Sequence, residues 1–364
     1  MKLLIVKLSS LGDVVHAMAA VQDIRAALGS AKDGLEIDWV VERAFAPLVR
    51  RCAGVSRVIE CELRRWRRTP WRAQTRAEWR AFLAALRAQN YDAVIDLQGL
   101  TKSALVARLA RLAPGGKRYG LANRTEGSSF EAPARWLVDV SIPIEPHTHA
   151  VQRGRKLCAK ALGYSMSGAP SFGLEAQALG FQSSAREETQ RSASGVNAGS
   201  PHDAQRATLK PPSTVLDAQP FVLLAHGASR ADKLWPEAHW IELGTRIIEE
   251  GCRVALAQGA PEEEARSRRI AKALGRQAVA WPRMELDALL DRMAGARGVL
   301  GVDSGLSHIA VALGLPHVQI YNFDTAWRTG PLQAEQQRCI VAPSPVAPSS
   351  VDQVWALWQQ VLRA

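Results

Sequence analysis

Short apolar runs alternate with longer stretches of helical periodicity along nearly the whole chain, and that alternation leaves few folds open. Lys2–Lys7, Ile37–Val41 and Ala93–Asp96 read as buried strands, with Asp13–Leu28, Arg76–Gln89 and Thr101–Leu112 as the helices between and after them. Weaker elements lead to a helix at Ala150–Leu162. The pattern lapses between Gln182 and Pro220, where Ser, Ala, Gln, Gly and Pro dominate. It resumes with strands at Phe221–Ala225, Arg253–Ala257, Gly298–Val302 and His317–Tyr321. Helices are expected at Pro236–Glu250, Pro261–Leu274, Leu286–Met293, Gly305–Leu313 and Val351–Leu362. Such βαβ alternation predicts right-handed crossovers and parallel sheets. At 364 residues the chain is long for one core. The fold class expected is α/β, with two Rossmann-like parallel-sheet domains facing a central cleft. Their bounds are 1–181 and 221–345, with an insertion and linker at 182–220 and a closing helix in 346–364.

In sheets of this kind ligands bind beyond the carboxyl ends of the strands, so the loops after each strand are where chemistry is sought. After Gly298–Val302 comes Asp303-Ser304-Gly305-Leu306-Ser307-His308, a strand feeding a helix with Asp303 or Ser304 as its cap. The free N–H groups and positive end of that helix favour a phosphate or diphosphate. After the first strand comes Ser9-Ser10-Leu11-Gly12-Asp13. Gly12 permits close approach, and Asp13 is either a dipole partner of its own helix or a general base. The loop matches neither Gly-x-x-x-x-Gly-Lys-Ser/Thr nor Gly-x-Gly-x-x-Gly, which weakens ATP hydrolysis and dinucleotide binding. The loop from His226 to Pro236 offers Ser229 and Lys233 to the same cleft as Asp303. Gly259-Ala260-Pro261-Glu262-Glu263-Glu264 gives either an acidic first turn or a carboxylate for a ribose diol.

The formal net charge of +11 calls for an acidic partner. The five cysteines are scattered and lack metal spacing, as expected of reduced thiols. Lys7 and Asp13 break the apolar start too early for a secretory signal, and no run approaches the ~20 residues of a membrane span. A soluble protein is expected, at most resting on a membrane surface. The stretch Arg64-Arg65-Trp66-Arg67-Arg68, with Trp71, Arg72, Arg76, Trp79 and Arg80 beyond, suits nucleic acid, lipid phosphates and sugar carboxylates, or a solvated face.

Five segments in order, Met1–Asp13, Asp96–Ser103, Lys233–Pro236, Gly259–Pro261 and Asp303–His308, resemble the lipopolysaccharide heptosyltransferases, and within them heptosyltransferase I. The resemblance implies a GT-B fold whose closing helix returns to the first domain. It also implies an ADP-heptose donor, a Kdo-lipid A acceptor and inverting, metal-independent transfer. It puts the catalytic base on Asp13 and the donor-phosphate lysine on Lys233. Ser229, Glu263, Met284, Asp303, Ser304, Gly305 and His308 fall on the donor side; Ser10, Gly12, Arg64, Arg65, Lys102 and Arg124 fall on the acceptor side. Ser304 stands where threonine is common, and Ala228-Ser229 where two threonines are usual. No cofactor, metal or nucleic acid is called for. A monomer is expected, in the cytoplasm and peripheral to the inner membrane of a Gram-negative bacterium. The alternatives are a sister enzyme acting on an already heptosylated core, or a non-enzymatic protein that binds anionic surfaces or nucleic acid.

Overall fold

The structure is a computed structural model, which describes residues 1–29, 34–176, 219–332, 335–344 and 347–364. The first domain holds β1 (Lys2–Val6), β2 (Glu36–Glu42), β3 (Arg57–Cys61), β4 (Asn90–Asp96), β5 (Arg111–Leu121) and β6 (Val140–Ile142). The second holds β7 (Phe221–Ala225), β8 (Arg253–Leu256), β9 (Ala278–Ala280), β10 (Gly298–Val302), β11 (His317–Tyr321) and β12 (Gln337–Val341). The sheet orders are β3-β2-β1-β4-β5-β6 and β12-β11-β10-β7-β8-β9, and every pairing is parallel. Counted within each domain the two orders are the same, 3-2-1-4-5-6. The topological switch lies between β1 and β4 in one sheet and between β7 and β10 in the other. The loops after β1, β7 and β10, singled out by their residues, are at those two switch points, whereas the Gly259–Glu264 loop follows β8, one strand away.

The strands are apolar on both faces because both faces are covered. In β1, Leu3 and Ile5 enter one core and Leu4 and Val6 another. In β7, Phe221, Leu223 and Ala225 face one way and Val222 and Leu224 the other. The central core is continuous through both domains. Val14, Val15 and Met18 of α1 (Leu11–Leu28) share it with Ile309 and Ala310 of α10 (Gly305–Ala312). A second tie is the ion pair of Arg51, just after α2 (Ala46–Arg50), with Asp287 and Asp291 on α9 (Leu286–Ala294).

Several elements differ from the sequence expectation. The arginine stretch forms a short helix, α3 (Leu63–Arg68), followed by α4 (Ala73–Leu86). The helix expected to reach Leu112 stops early, as α5 (Thr101–Leu109), because Arg111 and Leu112 already pair with Asn90 and Tyr91 in the sheet. Pro114-Gly115-Gly116 is then accommodated by a register shift in β5. The closing helix, α12 (Val351–Arg363), was expected to return to the first domain and lies on the second instead. Its apolar stripe, Val351, Val354, Trp358 and Val361, is buried in the second domain's own core. The Trp358 ring occupies the space above Gly298, where a side chain would collide with it. The 182–220 segment, but for Gln219 and Pro220, lies outside the described residues. Among the described residues no helix is long and apolar enough to cross a membrane.

Candidate active site at the domain junction

A cavity of about 200 Å³ lies where the switch-point loops of the two domains meet. From the first domain it is lined by Ser10, Gly12, Asp13, His16 and Arg153, and from the second by Ser229, Lys233, Asp303, Ser304, Gly305, His308 and Arg328. Two glycines allow this meeting. A methyl at Gly12 would strike the His308 ring, and one at Gly305 would strike the Leu11 side chain.

Asp13 is the third residue of α1, reached by the loop that leaves β1. Its Oδ2 accepts from the Ser10 backbone N–H at 3.2 Å and from Ser10 Oγ at 2.8 Å. Its Oδ1 lies 3.6 Å from Lys7 Nζ and 3.9 Å from Arg153 Nη2. Burial pushes the Asp13 carboxyl up, but the Lys7 charge and the Ser10 bonds outweigh it and hold the group well below the usual carboxylate range. Lys7 is 4% exposed and donates to the Leu97 carbonyl at 3.3 Å; burial lowers its pKa, and Asp13 works against that. The loop is braced by Gln98, whose Oε1 accepts from the N–H groups of Leu8 and Ser9. Asp96, fully buried behind it, accepts from the Gln98 and Gly99 N–H groups and from Ser103 Oγ; burial raises its carboxyl to about 6.

On the opposite wall, Asp303 Oδ2 accepts from Lys233 Nζ at 2.6 Å. Its Oδ1 lies 3.4 Å from His308 Nε2 and accepts from Thr329 Oγ1 at 3.3 Å. Burial alone would raise Asp303; the His308 and Lys233 partners bring it well below the usual range. Lys233 is carried on a short 3₁₀ turn, Ala231–Lys233. The turn is pinned by Asn322 Nδ2, which donates to the Asp232 and Leu234 carbonyls, and by the buried Trp235, whose Nε1 donates to Ser349. Ser304 caps the eight-residue α10, and its buried Oγ has no partner. An unsatisfied hydroxyl beside a helix N-terminus and a lysine is suited to an anionic oxygen.

The remaining sequence candidates lie outside the cavity. Glu263, in the first turn of α8 (Pro261–Leu274), accepts from the Gly259 N–H at 2.7 Å and packs against Gly227. Met284 packs on the central core. Arg65 is engaged by Glu62 at 2.6 Å and by Glu78. Arg64 is exposed on α3, and Lys102 and Arg64 both act on the carboxyl of Glu42 at the end of β2. Arg124 is exposed and donates to the Ser128 carbonyl at 3.3 Å.

Sequence reasoning did not pick out Lys7, Arg153, Arg328 or Thr329. Lys7 carried a signal, because a lysine closing a wholly apolar strand must be buried and therefore paired. Arg153 and Arg328 carried none, since an arginine in an amphipathic helix or a surface turn reads as solvated. His16, another lining residue, meets the His308 ring edge-on at 4.3 Å between centroids.

The sequence model of glycosyltransferase family 9 (heptosyltransferase) matches residues 79–354. Lipopolysaccharide heptosyltransferase 1 of Escherichia coli K12 is 38% identical over 322 residues, covering 88% of each chain. The solved structure of E. coli heptosyltransferase WaaC with ADP superposes with a TM-score of 0.77 at 32% identity, over 99% of this chain and 100% of that one. The same enzyme with ADP-2-deoxy-2-fluoro heptose gives 0.73 at 33% identity, over 99% of both. With two parallel six-stranded sheets and a charged cleft at their switch points, this chain belongs to glycosyltransferase family 9, the heptosyltransferases.

Proposed function

We propose that the cleft moves heptose from ADP-L-glycero-D-manno-heptose to the Kdo of Kdo-lipid A, with inversion and without a metal ion, at the cytoplasmic face of the inner membrane. Family membership makes the chain a glycosyltransferase of lipopolysaccharide synthesis. The observation that carries the finer reading is that Asp13 of one domain and the Lys233–Ser304 wall of the other line a single cavity. The match to lipopolysaccharide heptosyltransferase 1 of Escherichia coli K12 runs over 88% of the chain, and that to heptosyltransferase 2 of the same strain over 28%, which favours the first-heptose acceptor.

In this reading the diphosphate enters beside Ser304 Oγ and the N-terminal N–H groups of α10, and Lys233 exchanges part of its bond to Asp303 for a phosphate oxygen. Arg328 adds a second cation on that wall. The acceptor hydroxyl approaches from the first domain. Its oxygen bonds to the anomeric carbon from the face opposite the diphosphate, the carbon–oxygen bond to the β-phosphate breaks, and ADP leaves with the electron pair. The hydroxyl proton passes to Asp13. A carboxylate as acidic as Asp13 is a weak base toward a neutral alcohol. The proton therefore moves late, once bonding to the anomeric carbon has acidified the hydroxyl. Meanwhile the Asp13 anion faces the positive charge growing on the sugar, and the second-domain cations face the negative charge growing on the diphosphate.

The test is mass spectrometry of the product formed by purified protein, ADP-heptose and deacylated Kdo-lipid A in the presence of a chelator. A mass increase of one heptose is expected. No product under these conditions, or product only when metal is restored, would overturn the reading.

A further inference from the structure

Arg328 reaches the cavity on a piece of the second domain that leans on the first. It belongs to α11 (Ala326–Thr329), the four-residue turn that follows β11. A helix of one turn has too few internal bonds to hold its own place. Thr329 is tied to its own domain: Oγ1 meets the Tyr321 hydroxyl at 3.1 Å and donates to Asp303 Oδ1 at 3.3 Å. Trp327, Arg328 and Gly330 face the other way. The Trp327 ring stacks on that of His147, with centroids 3.7 Å apart and planes 21° from parallel. The Arg328 guanidinium lies over Gly127, where any side chain would run into it. The Gly330 carbonyl accepts from His149 at 2.9 Å. His147, Gly127 and His149 all belong to the first domain.

The first-domain side is firm. The Glu126 N–H donates to the Pro146 carbonyl at 2.8 Å, and Glu126 Oε2 lies 3.0 Å from His147 Nδ1, so the two loops that meet α11 brace one another. Gly127, next to Glu126, has a φ of +65°, so its backbone as well as the space above it calls for glycine. The Arg328 guanidinium has no hydrogen bond or ion pair among the described residues, although it lines the cavity. Burial lowers the pKa of Arg153, another lining residue, and the Arg328 charge adds to the effect. A cation so placed lacks its anion, and a long side chain without a bond of its own is held only by what it packs against. Freezing such a side chain when a ligand binds costs up to about ten-fold in affinity. Contacts that hold it beforehand recover that factor.

We propose that Trp327 is a positioning residue for the nucleoside diphosphate: its stack on His147 holds α11 so that Arg328 stands ready for the phosphate oxygens. The first domain thereby completes a binding site whose other groups belong to the second. The proposal rests on the reading above, in which Arg328 faces the diphosphate. Titration calorimetry of the full chain with ADP and with adenosine tests it. Arg328→Ala should weaken ADP binding, and Trp327→Ala should weaken it by up to about ten-fold, with adenosine binding unchanged in both. Unchanged adenosine binding also reports that the variants are folded. His147→Ala, on the other domain, should reproduce the Trp327→Ala loss, and Trp327→Phe, which still stacks, should restore most of it. Added to Arg328→Ala, Trp327→Ala should cost nothing further, since no guanidinium is left to place. Losses that multiply overturn the proposal, as does wild-type ADP affinity in either single variant. So does an equal loss of adenosine affinity, the result that a general loosening of the domains would give. Heptose transfer by the wild-type chain is measured separately: its failure with this ADP pattern intact would sink the sugar-transfer reading alone.

Discussion

Lys7 Nζ lies 3.6 Å from Asp13 Oδ1, on the buried side of the carboxylate, while the cavity lies on the other. The carboxylate is thus held from behind by a cation that solvent hardly reaches. The arrangement fixes where the carboxylate points and keeps it ionised, and it makes the two residues a single device.

Asp13→Asn keeps the size of the side chain and removes its charge. General-base catalysis contributes about 10²–10⁴-fold, so kcat should fall by that factor. ADP affinity should stay at the wild-type value, because Asp13 touches none of the second-domain groups on the diphosphate wall. Titration calorimetry with ADP beside steady-state kinetics separates the two. An equal loss of ADP affinity would move Asp13 from the chemistry to the donor site.

Lys7→Met tests the device directly. With Lys7 in place the Asp13 carboxyl lies well below the usual range, so its titration should leave the pH–rate profile flat on the acid side down to about pH 5. Methionine fills the buried space without a charge and removes the largest influence that opposes burial, which leaves only the Ser10 bonds, His16 and Arg153 to hold the carboxyl down. The acid limb of kcat should move up into the measurable range, with ADP binding unchanged. An unmoved limb would mean that Lys7 only holds the loop.

The two switch-point loops were legible in the residues because Gly12-Asp13 and Asp303–His308 each join an apolar strand to a periodic helix, and local chemistry decides such sites. Of the strand and helix expectations, those with buried, two-sided apolar strands match the structure within a few residues. β5 was illegible because Pro114-Gly115-Gly116 interrupts it, and only pairing with β4 makes it a strand. Arg153 and Arg328 reach the cavity through tertiary placement of helix and turn, for which spacing gives no sign. The resting place of α12 was misjudged for a related reason. Its stripe Val351, Val354, Trp358 and Val361 says that one face is buried and is silent about which domain buries it.

Lys233→Ala removes the cation bonded to Asp303, just ahead of the α10 terminus. Hydrogen bonds to charged groups contribute about 1.5–3 kcal/mol, so ADP binding should weaken by roughly 10–100-fold. The rate should fall as well, because the diphosphate carries more charge as it leaves. Arginine at the same position should restore part of the binding. Unchanged affinity and rate in Lys233→Ala would remove the residue from the diphosphate wall.

Gly12→Ala places a methyl against the His308 ring, which is itself buried and held to Asp303. The clash lies between domains, so overpacking of about 1–3 kcal/mol is relieved most readily by easing them apart. A misplacement of roughly 1 Å between Asp13 and the diphosphate wall costs about 10²-fold in rate. A large fall in kcat/KM with a small change in thermal midpoint is expected. A normal rate would show that the His308 ring yields and the junction is not closely fitted.

The junction also carries a pH dependence of stability. His149 Nδ1 accepts from the Val151 N–H at 3.1 Å, which leaves Nε2–H to donate to the Gly330 carbonyl of the other domain at 2.9 Å. Burial lowers its pKa from 6.5 to about 4, partly countered by the bond to Gly330. A histidine held neutral in the folded chain binds a proton more readily once unfolded. Its contribution is therefore complete above about pH 6.5 and is lost as pH falls toward 4. At 1.36 kcal/mol per pH unit this amounts to about 3 kcal/mol. Buried His226 and His317, each lowered to about 4 mainly by burial, act in the same direction. Asp96 opposes them, because a carboxyl raised to about 6 favours folding as it protonates over the same interval. His16, held well below 6.5 by burial, joins the histidines, and Glu42, raised by burial, joins Asp96; the histidines outnumber the acids, which leaves a net loss of stability on acidification. Denaturant titrations at steps between pH 7 and 4 should record it. His149→Gln, whose amide keeps a donor for Gly330, should make the slope measurably shallower. A slope unaltered in that variant would place the acid sensitivity in the cores of the domains and not at their junction.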